Sequence, residues 1–245
     1  MILEKLKLEV GLRSFLFLAF VISLNCGAGL VSDPKIKVAC IGDSITFGAR
    51  LEYPEKDGYP AQLQKLMGDE YEVFNFGVGG CTLLRKGRPT VWDQLLKIKD
   101  SNPDLVVISL GTNDTCGMGT CQERKCWDYK DEFPTDYKNL IDTIRTFPTK
   151  PKIWICAPTP MVMETPGLSA ERVEGLSIRK PRLQSLISHI RQLAKEKDTG
   201  FIDLNTPMNQ RPALFTEEDG VHPNMKGYKL IAELVYEELS EGQTD

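Results

Sequence analysis

The chain predicts an α/β fold in which a parallel sheet is covered by helices on both faces. Short apolar runs alternate with segments of helical periodicity, the order expected of strand–helix–strand units. The runs are continuously apolar rather than alternating, as in strands buried on both sides. Length sets the third bound. A chain of 245 residues, 26 % charged and 41 % hydrophobic, fits one such domain without a second.

In chain order, the first strand is expected at Ile36–Ile41, where Val38-Ala39-Cys40-Ile41 is unbroken by polar residues. A helix follows at Tyr59–Met67, then a strand at Val73–Phe76 and a helix at Val91–Ile98. Leu105–Leu110 forms the third strand, Phe133–Phe147 the next helix, and Ile153–Ala157, with Ile153-Trp154-Ile155-Cys156, the fourth strand. A helix at Leu183–Lys197 precedes a short fifth strand, Phe201–Asp203. The last helix begins near Asn224, because Tyr228, Ile231, Ala232, Val235 and Leu239 make one apolar stripe and Pro223 stands at its start. Two segments, Cys116–Asp131 and Pro158–Pro181, are longer than simple connections need and are expected as loops that carry substrate contacts.

Ligands on open parallel sheets bind beyond the C-terminal ends of the strands, and polar residues collect there. Asp43 and Ser44 follow the first strand, Gly79-Gly80 the second, Gly111-Thr112-Asn113-Asp114 the third and Pro158-Thr159-Pro160 the fourth. Asp219 and His222 lie in the loop before the last helix. The chain holds two histidines, and imidazole is the side chain that changes charge near neutral pH. His189, within Leu186-Ile187-Ser188-His189-Ile190-Arg191-Gln192-Leu193, reads as a helix-surface residue. His222, three residues after a carboxylate, reads as a base.

Together these residues suggest a Ser-His-Asp hydrolase. Ser44 supplies the hydroxyl, His222 acts as base and then acid, and Asp219 fixes the imidazole tautomer. The oxyanion donors are expected to be the Ser44 and Gly80 backbone N–H groups and the Asn113 side-chain amide. Asp43 and Asn75 are assigned to holding the loop around Ser44. Taken singly each residue has an ordinary reading, Ser44 as a helix cap and Asp219 as a turn former. Their shared position on one rim favours the chemical one.

At this point the chain resembles the SGNH, or GDSL-type, hydrolase superfamily over nearly all of residues 33–245. The resemblance rests on four blocks in order: Gly42-Asp43-Ser44-Ile45, Asn75-Phe76-Gly77-Val78-Gly79-Gly80, Gly111-Thr112-Asn113-Asp114 and Asp219-Gly220-Val221-His222-Pro223. It implies a flavodoxin-like three-layer α/β/α fold with a five-stranded parallel sheet. It further implies the same roles for Ser44, Gly80, Asn113, Asp219 and His222, with no metal or organic cofactor. The sequence departs from the pattern at Gly79, where relatives often have Ser, and at Cys81 directly after the oxyanion glycine.

The longer run through Leu84, with Pro103-Asp104-Leu105, is most similar to the sialate O-acetylesterase-like or carbohydrate esterase branch. That branch implies removal of O-acetyl groups from sialic acid or a polysaccharide, so an acetylated carbohydrate is the expected partner. Trp127 is expected to stack on a sugar ring, and Arg85 or Arg88 to contact an acidic sugar. The alternatives are a lysophospholipase or thioesterase acting on longer acyl chains, with Met161, Val162 and Met163 nearest to an apolar channel, and a non-catalytic carbohydrate-binding module.

The net charge of −4 argues against nucleic-acid binding, for which a basic face is normal. Residues 1–32 read as a signal peptide or membrane anchor: Lys5, Lys7 and Arg13 precede the apolar stretch Phe15–Leu24 and the small residues around Cys26. Export from the cytoplasm is therefore expected, with membrane contact only through that segment. Cys40 and Cys156 sit in strands and read as buried hydrophobes. Cys81, Cys116, Cys121 and Cys126 fall in loops and are expected to form two disulfides of undetermined pairing. A zinc site is the weaker alternative, since the spacings are wrong and no histidine is near.

Overall fold

The computed structural model describes residues 34–121 and 124–242; the expected leader or anchor at residues 1–32 lies outside them. Five strands, β1 (Ile36–Gly42), β2 (Tyr71–Gly77), β3 (Leu105–Ser109), β4 (Lys152–Ala157) and β5 (Gly200–Asp203), form one sheet in the order β2-β1-β3-β4-β5. Every neighbouring pair is parallel. The register aligns Gly42 of β1 with Gly77 of β2 and Ser109 of β3, so three strands end level. The chain leaves β1 toward β2 on one side and returns to β3 on the other. That reversal opens the crevice in which such sheets bind ligands.

The strands are apolar throughout because both faces are covered. Ala39, Ile41, Val106, Ile108, Ile153 and Ile155 join one core, while Val38, Cys40, Leu105, Val107, Trp154 and Cys156 join the other. The alternation of the pleat thus divides each strand between two cores. The first core is closed by α4 (Leu95–Asp100), α5 (Phe133–Arg145) and the C-terminal half of α6 (Ala170–Glu196). The second is closed by α3 (Tyr59–Met67) and α7 (Met225–Glu241), with Tyr228, Ile231, Ala232, Val235 and Leu239 all buried as the stripe predicts. Asn224 caps α7, its side-chain oxygen accepting from the N–H groups of Lys226 and Gly227. Two one-turn helices, α1 (Ser44–Phe47) and α2 (Pro54–Asp57), follow β1.

The structure departs from the sequence expectation in three places. The segment Pro158–Pro181 is not a loop to its end, because α6 starts at Ala170, capped by Ser169, and runs through Pro181. Its first half is highly charged and lacks an apolar stripe. It is held instead by arginine side chains: Arg179 donates to Thr115 Oγ1 (2.9 Å) and the Thr112 carbonyl (2.8 Å), and Arg182 to the Thr115 carbonyl (3.0 Å). The helix expected from Val91 begins as a 3-10 turn, Val91–Gln94, where the Trp92 indole is tied to the Leu83 carbonyl at 2.8 Å. Finally, among the described residues one disulfide forms rather than two, Cys116–Cys121. Cys81 and Cys126 stay free, both buried in the first core beside Cys116, whose thiol is taken by Cys121 five residues on. The bridge also takes two of the thiols a zinc site would need.

Candidate active site

The site is built where β1 ends. Gly42 is required by close approach, since a Cβ there would collide with the side chain of Thr46 and the Ser109 carbonyl. Asp43 is buried and caps α1, its Oδ1 accepting from the Ile45 N–H at 2.9 Å, which sets Ser44 on the first residue of a helical turn. Asn75 adds a second hold, its amide donating to the Phe47 carbonyl at 3.4 Å and accepting from the Gly77 N–H at 2.8 Å. The Ser44 hydroxyl therefore stands on a short, braced turn at the sheet's rim.

From the far end of the sequence, His222 meets it. Ser44 Oγ lies 2.8 Å from His222 Nε2, and His222 Nδ1 lies 2.9 Å from Asp219 Oδ2 and 3.1 Å from Oδ1. The turn that carries this pair is closed on itself. Asp219 Oδ1 accepts from the backbone N–H groups of Val221 (3.0 Å) and His222 (2.9 Å), and the Thr216 N–H donates to the His222 carbonyl at 2.9 Å. The Val162 N–H braces it from outside by donating to the Gly220 carbonyl at 2.8 Å. Burial of Asp219 acts to raise its pKa. The hydrogen bond and charge of His222, the His222 N–H and the Arg172 guanidinium outweigh that and hold the carboxyl well below the usual range. Asp43 is shifted the other way, upward, because burial dominates over its hydrogen bond from Ile45 and its neighbouring charges.

The two other residues expected beside Ser44 converge on the same place. Gly80 has φ +75°, a left-handed conformation that favours glycine. Asn113 Nδ2 donates to the Cys81 carbonyl at 3.0 Å and makes a longer contact, 3.4 Å, with Asp43 Oδ2. Its second hydrogen is thus only weakly engaged. An added Cβ at Gly79 meets nothing within 4 Å, so a serine would be accommodated there.

The residues expected to hold sugar are occupied in other ways. The Trp127 N–H donates to the Cys116 carbonyl at 2.7 Å, and the ring lies half-buried against the first core with the Arg182 guanidinium 5.2 Å from its centroid. It lines a depression with His189, Lys130 and Ser185, none of them part of the Ser44–His222–Asp219 chain. Arg85 stacks on Trp92, 3.2 Å from the ring centroid, and pairs with Asp136 at 3.5 Å. Arg88 turns back onto the carbonyls of Arg85 (2.7 Å) and Gly87 (2.6 Å). His189 is exposed on α6, as its sequence context indicates.

Three arginines that no motif singles out reach the site. Arg50 Nε and Arg172 Nη2 each lie 3.3 Å from an Asp219 carboxylate oxygen, and Arg172 Nε donates to the Asp219 carbonyl at 2.8 Å. Arg124 donates to the Gly80 carbonyl (2.6 Å) and to Asn113 Oδ1 (3.2 Å). Two of the three, Arg124 and Arg172, come from the long segments flagged in the sequence as carriers of substrate contacts.

Residues 40–230 match the profile of the GDSL-like Lipase/Acylhydrolase family. The chain belongs to that family. Its members are carboxylic ester hydrolases, and the matched stretch contains Ser44, Gly80, Asn113, Asp219 and His222. The acetylxylan esterase of Xylanibacter ruminicola is 34 % identical over 226 residues, which is 83 % of this chain and 43 % of the relative. The chain thus spans less than half the length of that relative. A solved acetyl xylan esterase is 26 % identical with a TM-score of 0.57, covering 82 % of this chain and 98 % of its own. A carbohydrate acetylesterase from Sinorhizobium meliloti, 18 % identical, shares the fold at a TM-score of 0.65, with 84 % and 99 % of the two chains covered. The five-stranded parallel sheet is that of these esterases.

Proposed function

We propose that this chain is a serine esterase that removes O-acetyl groups from a carbohydrate, sialic acid or a polysaccharide, with acetylated xylan the first substrate to test. The observation that carries the reading is the unbroken run of hydrogen bonds from the Ser44 hydroxyl through His222 to Asp219. A hydroxyl, an imidazole and an ionised carboxylate so linked can generate an alkoxide-like nucleophile at neutral pH.

Ser44 Oγ attacks the acetyl carbonyl carbon while its proton passes to His222 Nε2, and Asp219 stabilises the imidazolium that forms. The oxyanion accepts hydrogen bonds from the backbone N–H groups of Ser44 and Gly80 and from the weakly engaged hydrogen of Asn113 Nδ2. Collapse breaks the bond to the sugar oxygen, which takes the proton from His222. A water then attacks the acetyl-Ser44 ester and gives its proton to His222. Breakdown of that second intermediate releases acetate and returns the proton to Ser44.

The names of the acetylxylan esterase and carbohydrate acetylesterase relatives support acetate as the acyl group. So does the fate of the apolar residues between β4 and α6. Met161 and Val162 are fully buried, each in a different core cluster, and Met163 is half-buried against the first of these, which leaves the first two unavailable to line a channel for a long acyl chain. Export is part of the proposal, since acetylated polysaccharides lie outside cells, and the Cys116–Cys121 bridge suits an oxidising compartment. Acetate release from a panel of acetylated glycans tests the reading, with Ser44→Ala expected to lose on the order of 10³-fold or more in kcat. A rate on octanoyl esters above that on acetyl esters would instead favour the long-chain alternative.

A further inference from the structure

We infer that Arg124 is a positioning residue of the oxyanion pocket, fixing which edge of the Asn113 amide faces the reacting carbonyl. The inference rests on the esterase reading above and goes beyond it, because Arg124 belongs to none of the four blocks of the sequence. A primary amide has a donor edge and an acceptor edge of nearly equal shape, so its orientation is set by its partners. Here Asn113 Oδ1 accepts from Arg124 Nη1 at 3.2 Å, while Nδ2 faces the Cys81 carbonyl at 3.0 Å and Asp43 Oδ2 at 3.4 Å.

A flipped amide would set NH₂ against the guanidinium and a carbonyl against two acceptors. Both edges would lose their bonds. Without Arg124 only the donor edge is specified, and the acceptor edge is left to water. The same guanidinium donates through Nη2 to the Gly80 carbonyl at 2.6 Å and lies 3.4 Å from the Arg88 carbonyl. One planar fork therefore ties together the two loops that carry the side-chain and backbone donors. It can do so because its N–H groups diverge in a fixed plane, which a single ammonium cannot reproduce. The side chain is half-buried, so these bonds are partly shielded from water.

The test is steady-state kinetics of the full chain on an acetyl ester, for wild type, Ser44→Ala, Arg124→Gln, Asn113→Ala and the Arg124→Gln/Asn113→Ala double variant. Loss of one oxyanion donor costs on the order of 10²-fold, so Arg124→Gln should lower kcat by about 10- to 100-fold and change KM by less than about 3-fold. The inference places the kinetic effect of Arg124 on Asn113 and leaves its bond to the Gly80 carbonyl to seat the guanidinium, so the double variant should be no slower than Asn113→Ala by more than about 3-fold. Added guanidinium ion should restore part of the rate to Arg124→Ala and none to Asn113→Ala.

Arg124→Lys keeps the charge and the stem, for use if the neutral variants fold poorly. It should still lose at least about 5-fold in kcat, for want of the fork. A wild-type kcat in Arg124→Lys or Arg124→Gln, or losses that multiply in the double variant, would overturn the inference. An active wild type with inert Ser44→Ala shows the esterase reading standing whatever Arg124 does. Equal rates in those two would bring down both.

Discussion

Asp219 is the most heavily bonded side chain of the site, and its partners define what each can be expected to do. One oxygen serves two backbone N–H groups and the imidazole; the pair of oxygens is also bracketed by Arg50 and Arg172. Asp219→Asn would keep the volume but offer an NH₂ where an acceptor is needed, favouring the wrong imidazole tautomer. A kcat loss on the order of 10⁴-fold is expected, measured on an acetyl ester. The carboxyl's depressed pKa means it is ionised across the range in which esterases are assayed. An acid limb of the rate profile should therefore survive unchanged in Arg172→Gln. At this scale the sequence was informative where roles are carried by short-range backbone geometry: Ser44 after a strand, Gly80 at a positive φ, and Asp219 with His222 in one turn. Arg50, Arg124 and Arg172 were not legible. A long side chain can meet a partner 169 residues away, as Arg50 meets Asp219, and no local pattern encodes that meeting.

Among the elements, α6 shows why charge-rich segments mislead. Its C-terminal half follows the apolar spacing that predicts a helix; its N-terminal half has Leu176 as its one buried aliphatic side chain and is anchored by Arg172, Arg179 and Arg182. Arg179 is the strongest anchor. Burial lowers its pKa to about 10, aided by the charges of Arg172, Arg124 and Arg182 and opposed by Asp43, and it bonds the 112–115 turn that carries Asn113. Arg179→Leu should leave two buried acceptors unmet and cost about 2–4 kcal/mol in urea denaturation. Pro181 acts in the opposite sense, because within the helix it removes one backbone bond. Pro181→Ala is expected to raise the melting temperature by a few degrees, by the helix-propensity difference. A fall in melting temperature would mean that the proline sets the helix's path onto the rim.

For the molecule as a whole, stability against pH reflects three buried carboxyls, Asp219 shifted down and Asp43 and Asp114 shifted up. Asp219, held low, stabilises the fold above the ordinary carboxylate range, and that contribution is lost as the pH falls through its depressed value. Asp114 is pushed up to about 6 by burial, against hydrogen bonds from the Leu84 and Leu83 N–H groups and with the Asp43 charge adding to the rise. Its contribution is full below the unfolded value near 3.8 and is lost as the pH rises through about 6. Relative to wild type, Asp114→Asn should therefore gain about 2–3 kcal/mol between pH 4 and pH 7, read from urea midpoints. A constant difference would mean that Asp114 is ionised throughout. The layer order and both cores were legible in the sequence because strands buried on two sides cannot hide their composition. Which cysteines join was not, since all four fall in or against one core and only the folded backbone brings Cys121 to Cys116, 5.5 Å apart at Cα.

Residues 44 and 222 touch across 178 positions of sequence, and the Tyr228 hydroxyl reaches back to the Ala49 carbonyl at 2.8 Å. On the proposed mechanism, turnover would thus report on nearly the entire polypeptide. If that mechanism holds, a fragment that stops short of the final helix's approach loop would be inactive, and acetate production during renaturation would track the last long-range closure rather than collapse of either half.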